Sequence, residues 1–599
     1  MSFGFRLYFD DRTVTVSQSD LVGRPCGNAT VYTVDLNGAR VNWSFTPYGG
    51  GELITLQVEG DAPLNLRRID SVVLPVGHVK ETDRIAFLGR DMYANETRYP
   101  SELGSGQEYG ESCVGHFAHL AGEGLLVAGV SPHRSNYAST VCKDEDGSLT
   151  FCAKTEFTEA ISRECKLYAE QVFLCRSTLN DFFDAYRALL PQSSFAMPKL
   201  IGWNTWDYYL DKVTPTDVAE NAAALQKMPF ADKMRYIVID DGWQRGWGDW
   251  RENDKFACGL ATVAATIKEA GFIPGIWMAP LGVKKDMPLL LEHPDWFCKS
   301  NDGKLLYDMG LYYLDPTHPD AERFVLDAYR YQYECGYRLF KMDYVSSILK
   351  VRHFCDPKVT PYSALSRFVE RVKSVTGPDA VILGCSLPLE CGANIAPSMR
   401  IAVDIHNHFS HVIWIAQALA WSWMYNNRTT RIDPDFMIVR GRQTSDCYMD
   451  EVRNDFVPPP RHLQTDKDRF KCRWRHGDTF SAVEAETWAN LVAISGGNIF
   501  LSDRLSNLNE KGIAIIQKAL SLAGEEVRPV YQADDARLAS LWLGDSALLV
   551  INWEDVPRRL TVSGIERPIR SERPFMLKDG VLSVDLQPHE SFAAIFQNA

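Results

Sequence analysis

Carboxylates in this 599-residue chain recur at one kind of place, the ends of short apolar runs. Asp240 and Asp241 follow Tyr236–Ile239, Asp343 closes Tyr337–Asp343, and Asp404 closes Arg400–Asp404. Asp435 and Asp503 stand beside two further runs, Phe436–Val439 and Asn498–Ser502. Trp203, Lys341, Cys385 and Arg400 hold comparable positions. Acids and aromatics gathered on one rim suit cleavage of a glycosidic bond. One carboxylate attacks the anomeric carbon or activates water, a second protonates the leaving oxygen, and others hold hydroxyls.

Asp343 and Asp404 are the leading pair. Lys341 and Asp343 are two apart on a strand, so their side chains share a face, and a nearby ammonium favours the ionised carboxylate of a nucleophile. Arg400 and Asp404 are four apart at the two ends of a short strand, which suits Asp404 to acid/base work. An ordinary strand-end ion pair or a loop acid is the competing reading at each position. Adjacent Asp240 and Asp241 repel and need donors; sugar hydroxyls, a metal, or a capped turn would each supply them. Trp203, Trp206, Trp243, Trp247 and Trp250 cluster nearby, with one or two expected at the pocket and the rest in the core.

The elements that would position these groups are strands alternating with helices from Lys199 onward, the rhythm of a parallel sheet. Candidate strands are Leu200–Trp203, Tyr236–Asp240, Phe272–Met278, Tyr312–Asp315, Tyr337–Asp343, Val381–Ser386, Arg400–Asp404, Phe436–Val439 and Asn498–Ser502. A (β/α)8 barrel needs eight, and Tyr312–Asp315 is set aside as a loop strand. Helical patterns at Thr214–Asp217 onward, Ala261–Ala270, Ala321–Tyr333, Tyr362–Val375 and Val483–Ser495 fall between them. Thr214 is placed to cap and Pro215 to take the first helical position. In such a barrel, catalytic groups project from the strands' C-terminal ends. Before residue 192, short alternating runs such as Arg12–Ser17, Thr30–Leu36, Val41–Pro47 and Leu53–Glu59 are separated by turn signals, and a helix, Leu179–Leu190, leads to Pro191. After about residue 525 the β runs return. The fold expected is multidomain α/β plus β, a central (β/α)8 TIM barrel between two sandwiches: an N-terminal β-sandwich over 1–192, the barrel over 193–524 and a small C-terminal β-sandwich over 525–599.

Composition narrows the partners. Apolar residues make up 45% and charged residues 23%, enough for large cores. The net charge of −14 argues against nucleic acid or an anionic membrane as main partner. The 11% aromatic share supplies faces that stack on sugars, although most belong to cores. No apolar run spans a membrane, and the first residues show no basic, then apolar, leader; the expectation is a cytoplasmic protein, with export left open. The 14 cysteines make no C-x-x-C pair and read mostly as reduced, buried small hydrophobes.

Several motifs occur in order: Gly202-Trp203-Asn204-Thr205-Trp206, Ile239-Asp240-Asp241-Gly242-Trp243-Gln244, Gly275-Ile276-Trp277, Leu314-Asp315-Pro316-Thr317-His318-Pro319, Lys341-Met342-Asp343 and Arg400-x-x-x-Asp404. Together they resemble the α-galactosidase (melibiase) group, glycoside hydrolase family 36 with family 27-like features, over roughly residues 195–510. The resemblance implies the same three-domain layout and a retaining exo-glycosidase that removes terminal α-linked galactose through a covalent glycosyl-enzyme. It makes Asp343 the nucleophile and Asp404 the acid/base. It assigns Asp240 and Asp241 to the galactose 4- and 6-hydroxyls, Lys341 and Arg400 to hydroxyls and charge tuning, and Trp203 to an aromatic wall. Trp277 and Cys385 join the substrate-binding set. It implies no metal and no cofactor.

The chain departs from the group's pattern at Met342 and at Ser386–Cys391. The latter segment is expected to read the sugar 2-substituent, so galactose and N-acetylgalactosamine both stay open, as does galactosyl transfer of the raffinose-synthase kind. His406, His408 and His411 carry a metal-hydrolase reading as a minor alternative to sugar contact. The charged stretch Arg440–Gly477 reads as a solvated surface loop before a lid or an oligomer contact. The partner expected is a small carbohydrate, with room for a homo-oligomer.

Overall fold

The computed structural model describes residues 3–36, 38–80, 83–88, 96–98, 100–109, 116–120, 124–130, 135–300, 302–389, 395–447, 480–532, 535 and 538–597. The N-terminal part holds two antiparallel sheets. One runs in the order Glu108–Tyr109, Asn136–Lys143, Ser148–Glu156, Leu66–His78, Gly4–Phe9, Thr13–Ser17. The other is built around the meander Ala29–Leu36, Ala39–Tyr48, Gly51–Glu59. Alternation does the sorting: Val41, Trp43 and Phe45 of one strand all point inward and are buried. Trp43 also donates its indole N–H to the Ser71 carbonyl of the facing sheet, 3.0 Å away, which satisfies the one polar atom of a fully buried ring. Helix Leu179–Leu189, capped by Thr178, then crosses to the next unit.

There the alternation gives way to a curled sheet, all of whose ladders are parallel. Its strands are β1 (Ile201–Asn204), β2 (Tyr236–Ile239), β3 (Ile273–Met278), β4 (Leu339–Met342), β5 (Val381–Gly384), β6 (Ser398–Arg400), β7 and β8 (Ile499–Leu501). β7 comes in two halves, Arg431–Asp433 on β6 and Phe436–Met437 on β8, so the ladder returns to its start. Between the halves lie Pro434, which has no N–H to give a ladder, and Asp435, held at φ +86°. Close backbone packing explains Gly202, where a Cβ would lie 2.2 Å from the Tyr236 carbonyl oxygen.

Helices close to those expected connect the strands, at Pro215–Leu225, Leu260–Glu269, Pro319–Cys335, Pro361–Thr376 and Ala482–Ile494. Thr214 caps as the sequence suggested, exchanging bonds with Asp217 and with Pro215 in first position. Leu311–Tyr313 sits in a separate three-stranded sheet, as a loop strand should. Several strands are shorter than expected, among them β4, β5 and β8, and β6 is displaced: it runs Ser398–Arg400, and Asp404 lies in the loop beyond it.

The C-terminal part pairs a five-stranded and a three-stranded antiparallel sheet. Leu541, Leu548, Val550, Leu582, Val584 and Phe592 form a core of their own between them. The eleven described cysteines make no disulfide, but the expectation that they are mostly buried fails. Cys152, Cys175, Cys298 and Cys385 are buried, whereas Cys26, Cys165, Cys258, Cys355 and Cys447 are exposed. Among the described residues no helix is long and apolar enough to cross a membrane.

Candidate active site

Parallel strands put all their C-terminal ends on one rim, and the sequence-selected acids gather there. β4 is buried along its length, and the Asp343 N–H continues its ladder to the Met278 carbonyl at 2.9 Å. The carboxylate that follows is held at both oxygens. The Tyr344 N–H donates to Oδ1 at 2.7 Å and the Trp277 indole N–H to Oδ2 at 3.1 Å. Burial pushes the Asp343 carboxyl above the usual range, against the opposing pull of Lys341 and the Trp277 bond.

Asp404 is also held at both oxygens, by Arg400 Nη2 at 2.8 Å and by the Trp206 indole N–H at 3.1 Å. Burial raises its pKa, but Arg400, Lys341 and His406 together outweigh burial and leave it below the ordinary value. The Arg400–Asp404 pair does not arise from two residues on one strand face. The loop after β6 folds back and brings Asp404 to the guanidinium. Arg400 also pairs with Asp435 at 2.7 Å, and Asp435 accepts the Ile405 N–H, so Asp435 grips the Asp404 loop at both ends. Asp435 stood among the strand-end acids, but nothing in its spacing marked it as the anchor.

Lys341 lies near Asp343, but its ammonium pairs with Asp240, 2.8 Å away across the sheet, and this corrects the pairing expected from strand spacing. Asp240 is nearly saturated: Asn204 and Lys341 donate to Oδ2 and the Asp241 N–H to Oδ1. Its partner Asp241 accepts from Gln244 and from the Trp247 indole, and burial raises its pKa. Cys385 is buried at the end of β5, its N–H on the Met342 carbonyl at 2.6 Å, its thiol pushed up by burial and by Asp343. Asp343, Lys341, Cys385, Arg400 and Asp404 thus share one electrostatic neighbourhood.

The aromatic assignments need correction. Trp203 is 0% exposed and donates to the Asp503 carbonyl at 2.9 Å, so it packs the core instead of forming a wall. Trp277, 2% exposed, orients Asp343 through its N–H and has little face to offer a sugar. Trp206, named only as one of the cluster, is the tryptophan that reaches Asp404.

Of the three histidines after Asp404, His411 packs against both others, 5.1 Å from His406 and 5.9 Å from His408 between ring centroids. His406 Nδ1 is 3.3 Å from Asp207, which also pairs with buried Arg440; Arg440 in turn pairs with Asp503 at 2.7 Å. His411 Nδ1 is 3.1 Å from the Asp404 carbonyl oxygen. Among the described residues no group of three or more His, Cys, Asp or Glu is placed to hold a metal ion. Arg440 is therefore buried structure, not loop surface, whereas Arg442 and Asp446 are exposed. Glu390, Cys391 and the charged residues Asp450, Glu451, Arg453 and Asp455 lie outside the described residues.

The model of the Melibiase family matches residues 176–346, a stretch that begins before β1 and ends just after Asp343 and Tyr344. The chain resembles the melibiase group. An α-galactosidase of Escherichia coli is 30% identical over 155 residues, 23% of this chain and 21% of that protein. α-Galactosidase AgaA of Geobacillus stearothermophilus is 29% identical over 127 residues, 19% of this chain and 16% of that one. The chain thus spans about a fifth of the length of these curated relatives. In structure the likeness is wider. The GH36 α-galactosidase AgaA superposes with a TM-score of 0.60 at 14% identity, covering 99% of this chain and 89% of that one. TtGalA, an α-galactosidase from Thermus thermophilus in complex with p-nitrophenyl α-D-galactopyranoside, superposes at 0.57 with 18% identity, covering 86% and 97%. At these identities the match speaks for the melibiase-like fold. Of the sequence-selected residues, Trp203, Asp240, Asp241, Trp277, Lys341 and Asp343 fall inside the matched segment, and Cys385, Arg400 and Asp404 beyond it.

Proposed function

We propose that the protein is a retaining glycoside hydrolase acting on terminal α-galactosides, with Asp343 as nucleophile and Asp404 as acid/base. The observation that carries this reading is the pair itself. Two half-buried carboxylates on one rim are each pinned at both oxygens, one by Trp277 and the Tyr344 N–H, the other by Arg400 and Trp206. The melibiase match over the first half of the rim supports it. Asp343 Oδ attacks the anomeric carbon as the bond to the leaving oxygen breaks, and Asp404 gives that oxygen its proton. Asp404 then takes a proton from water, which attacks the same carbon and frees Asp343. Asp240 and Asp241, with Lys341 and Arg400, hold sugar hydroxyls. Retention calls for carboxyl groups about 5–5.5 Å apart, whereas inversion needs roughly 6.5–9.5 Å.

We read the returning parallel sheet as a (β/α)8 barrel over 193–524, between a β-sandwich over 1–192 and a second over 525–599, and the substrate as a small carbohydrate. A panel of aryl α-glycosides, with the anomer of the product followed by NMR, tests sugar and stereochemistry together. Release of the α-anomer first from the galactoside is expected; an inverted product or an inert protein would overturn the reading. Running the panel on N-acetylgalactosaminides, and with sucrose as acceptor, separates the two neighbouring activities.

A further inference from the structure

Tyr344 comes directly after the proposed nucleophile, and its backbone sits at φ +55°, in the left-handed region that a bulky side chain rarely adopts. That conformation aims its N–H at Asp343 Oδ1, 2.7 Å away. Strain of this kind persists where surrounding structure enforces it, and it clusters at functional sites. The ring packs edge-on against Trp247 (centroids 4.7 Å apart, planes at 64°), and Trp247 itself donates to Asp241. The phenol lies within electrostatic reach of Asp343, Asp404, Cys385 and Asp241, groups from four strand ends. Burial and these acids push its pKa up, so the hydroxyl is neutral and can both donate and accept. The residue keeps part of its surface exposed, whereas Trp203 and Trp277 have almost none.

We propose that Tyr344 is the aromatic wall of the sugar subsite and bonds a substrate hydroxyl through its phenol, while its strained backbone keeps an N–H on the nucleophile. This rests on the hydrolytic reading above. It assigns the wall to a residue that no motif named, in place of Trp203. A neutral polyol is the ligand the surroundings fit, because the phenol stands among acids that would repel an anionic group.

Two variants divide the roles. Tyr344→Phe removes the hydroxyl alone. Tyr344→Gly removes the ring, keeps the N–H and takes φ +55° without strain. Each is compared with the wild type on the aryl α-glycoside the wild type cleaves best, with KM, kcat, the inhibition constant of the matching free sugar, and the melting temperature. Tyr344→Phe is expected to weaken KM and sugar inhibition about three- to tenfold, the worth of one neutral hydrogen bond. Tyr344→Gly is expected to lose about a hundredfold in kcat/KM with a melting temperature that holds or rises. If both variants keep kcat/KM and sugar inhibition within about twofold of wild type, Tyr344 is not in the subsite. A fall in melting temperature for Tyr344→Gly, with Tyr344→Phe unchanged in every constant, would show a packing role and also overturn the proposal. A wild type that cleaves no aryl glycoside overturns the hydrolytic reading and this inference with it; a wild type that cleaves one, with inert substitutions, overturns this inference alone.

Discussion

At the scale of single residues, the two carboxylates are shifted in opposite directions. Burial raises Asp343, whereas Arg400, Lys341 and His406 outweigh burial and lower Asp404. The mechanism proposed above needs the reverse, an ionised Asp343 beside a protonated Asp404, so on that proposal the working form is a minority of the singly protonated pair. The pair titrates jointly, with two apparent pKa values. Below the lower value Asp343, the proposed nucleophile, is protonated, and above the higher one Asp404, the proposed acid, has lost its proton. We therefore expect a bell-shaped kcat/KM profile, read on an aryl α-galactoside. His406 is one of the groups that lower Asp404, so His406→Gln should move the acid limb to higher pH; a limb that stays in place would remove His406 from the tuning. Asp343→Gly should cut turnover by more than about ten-thousand-fold with an unchanged melting temperature, and retained activity would move the nucleophile elsewhere. Much of this site was legible in the sequence, because acids at strand ends fall on one rim whatever the loops do. The partners were not. Lys341 chooses Asp240 on another strand, and Trp206, not Trp203, turns to Asp404; those choices depend on loop paths and on which ring the core absorbs.

At the scale of elements, the sheet closes on a strand that the sequence does not announce as one piece. Phe436–Val439 is readable as an apolar run, but Arg431–Asp433, rich in charge, is not, and the two are halves of β7. Polar residues can fill it because each has a buried partner. Arg431 donates to the Met197, Gly496 and Glu525 carbonyls, and Asp433 accepts the Asp435 N–H at 2.8 Å. For the same reason Arg400–Asp404 reads as a strand and is one only to Arg400. Asp435 joins this break to the chemistry, since it holds both Arg400 and the Ile405 N–H. Asp435→Ala leaves Arg400 buried with half its counter-charge. A loss of about 3–5 kcal/mol is expected from denaturant midpoints, with activity falling further than unfolding explains. A variant of wild-type stability would show that the break needs no anchor.

At the scale of the whole molecule, half-buried cations tie together segments far apart in the chain. Arg187, on the helix leaving the N-terminal part, donates to the Met424 and Asn426 carbonyls and pairs with Glu526 at 3.0 Å, so one side chain joins three distant stretches of chain. Lys199 donates to the Gly524 carbonyl, and burial pulls its amine down to about 8. Its pKa is depressed on folding, so the unfolded chain binds the extra proton between about pH 8 and 10.5, and stability from this group rises with pH across that window. Relative to Lys199→Met, the wild type should gain up to about 3 kcal/mol between pH 7 and 11; a flat difference would mean the amine is not buried. The uneven burial of the thiols gives the parts of the chain separate clocks. Cys152 and Cys175 are sealed in the N-terminal part, Cys385 just past β5 and Cys298 in the loop segment between β3 and β4, while residues after 472 carry no cysteine. Once exposed sulfurs are capped with maleimide, the rate at which each sealed one takes up a second, heavier label measures how often its own unit breathes open. A peptide map of the label would then show which unit yields first, without any engineered reporter.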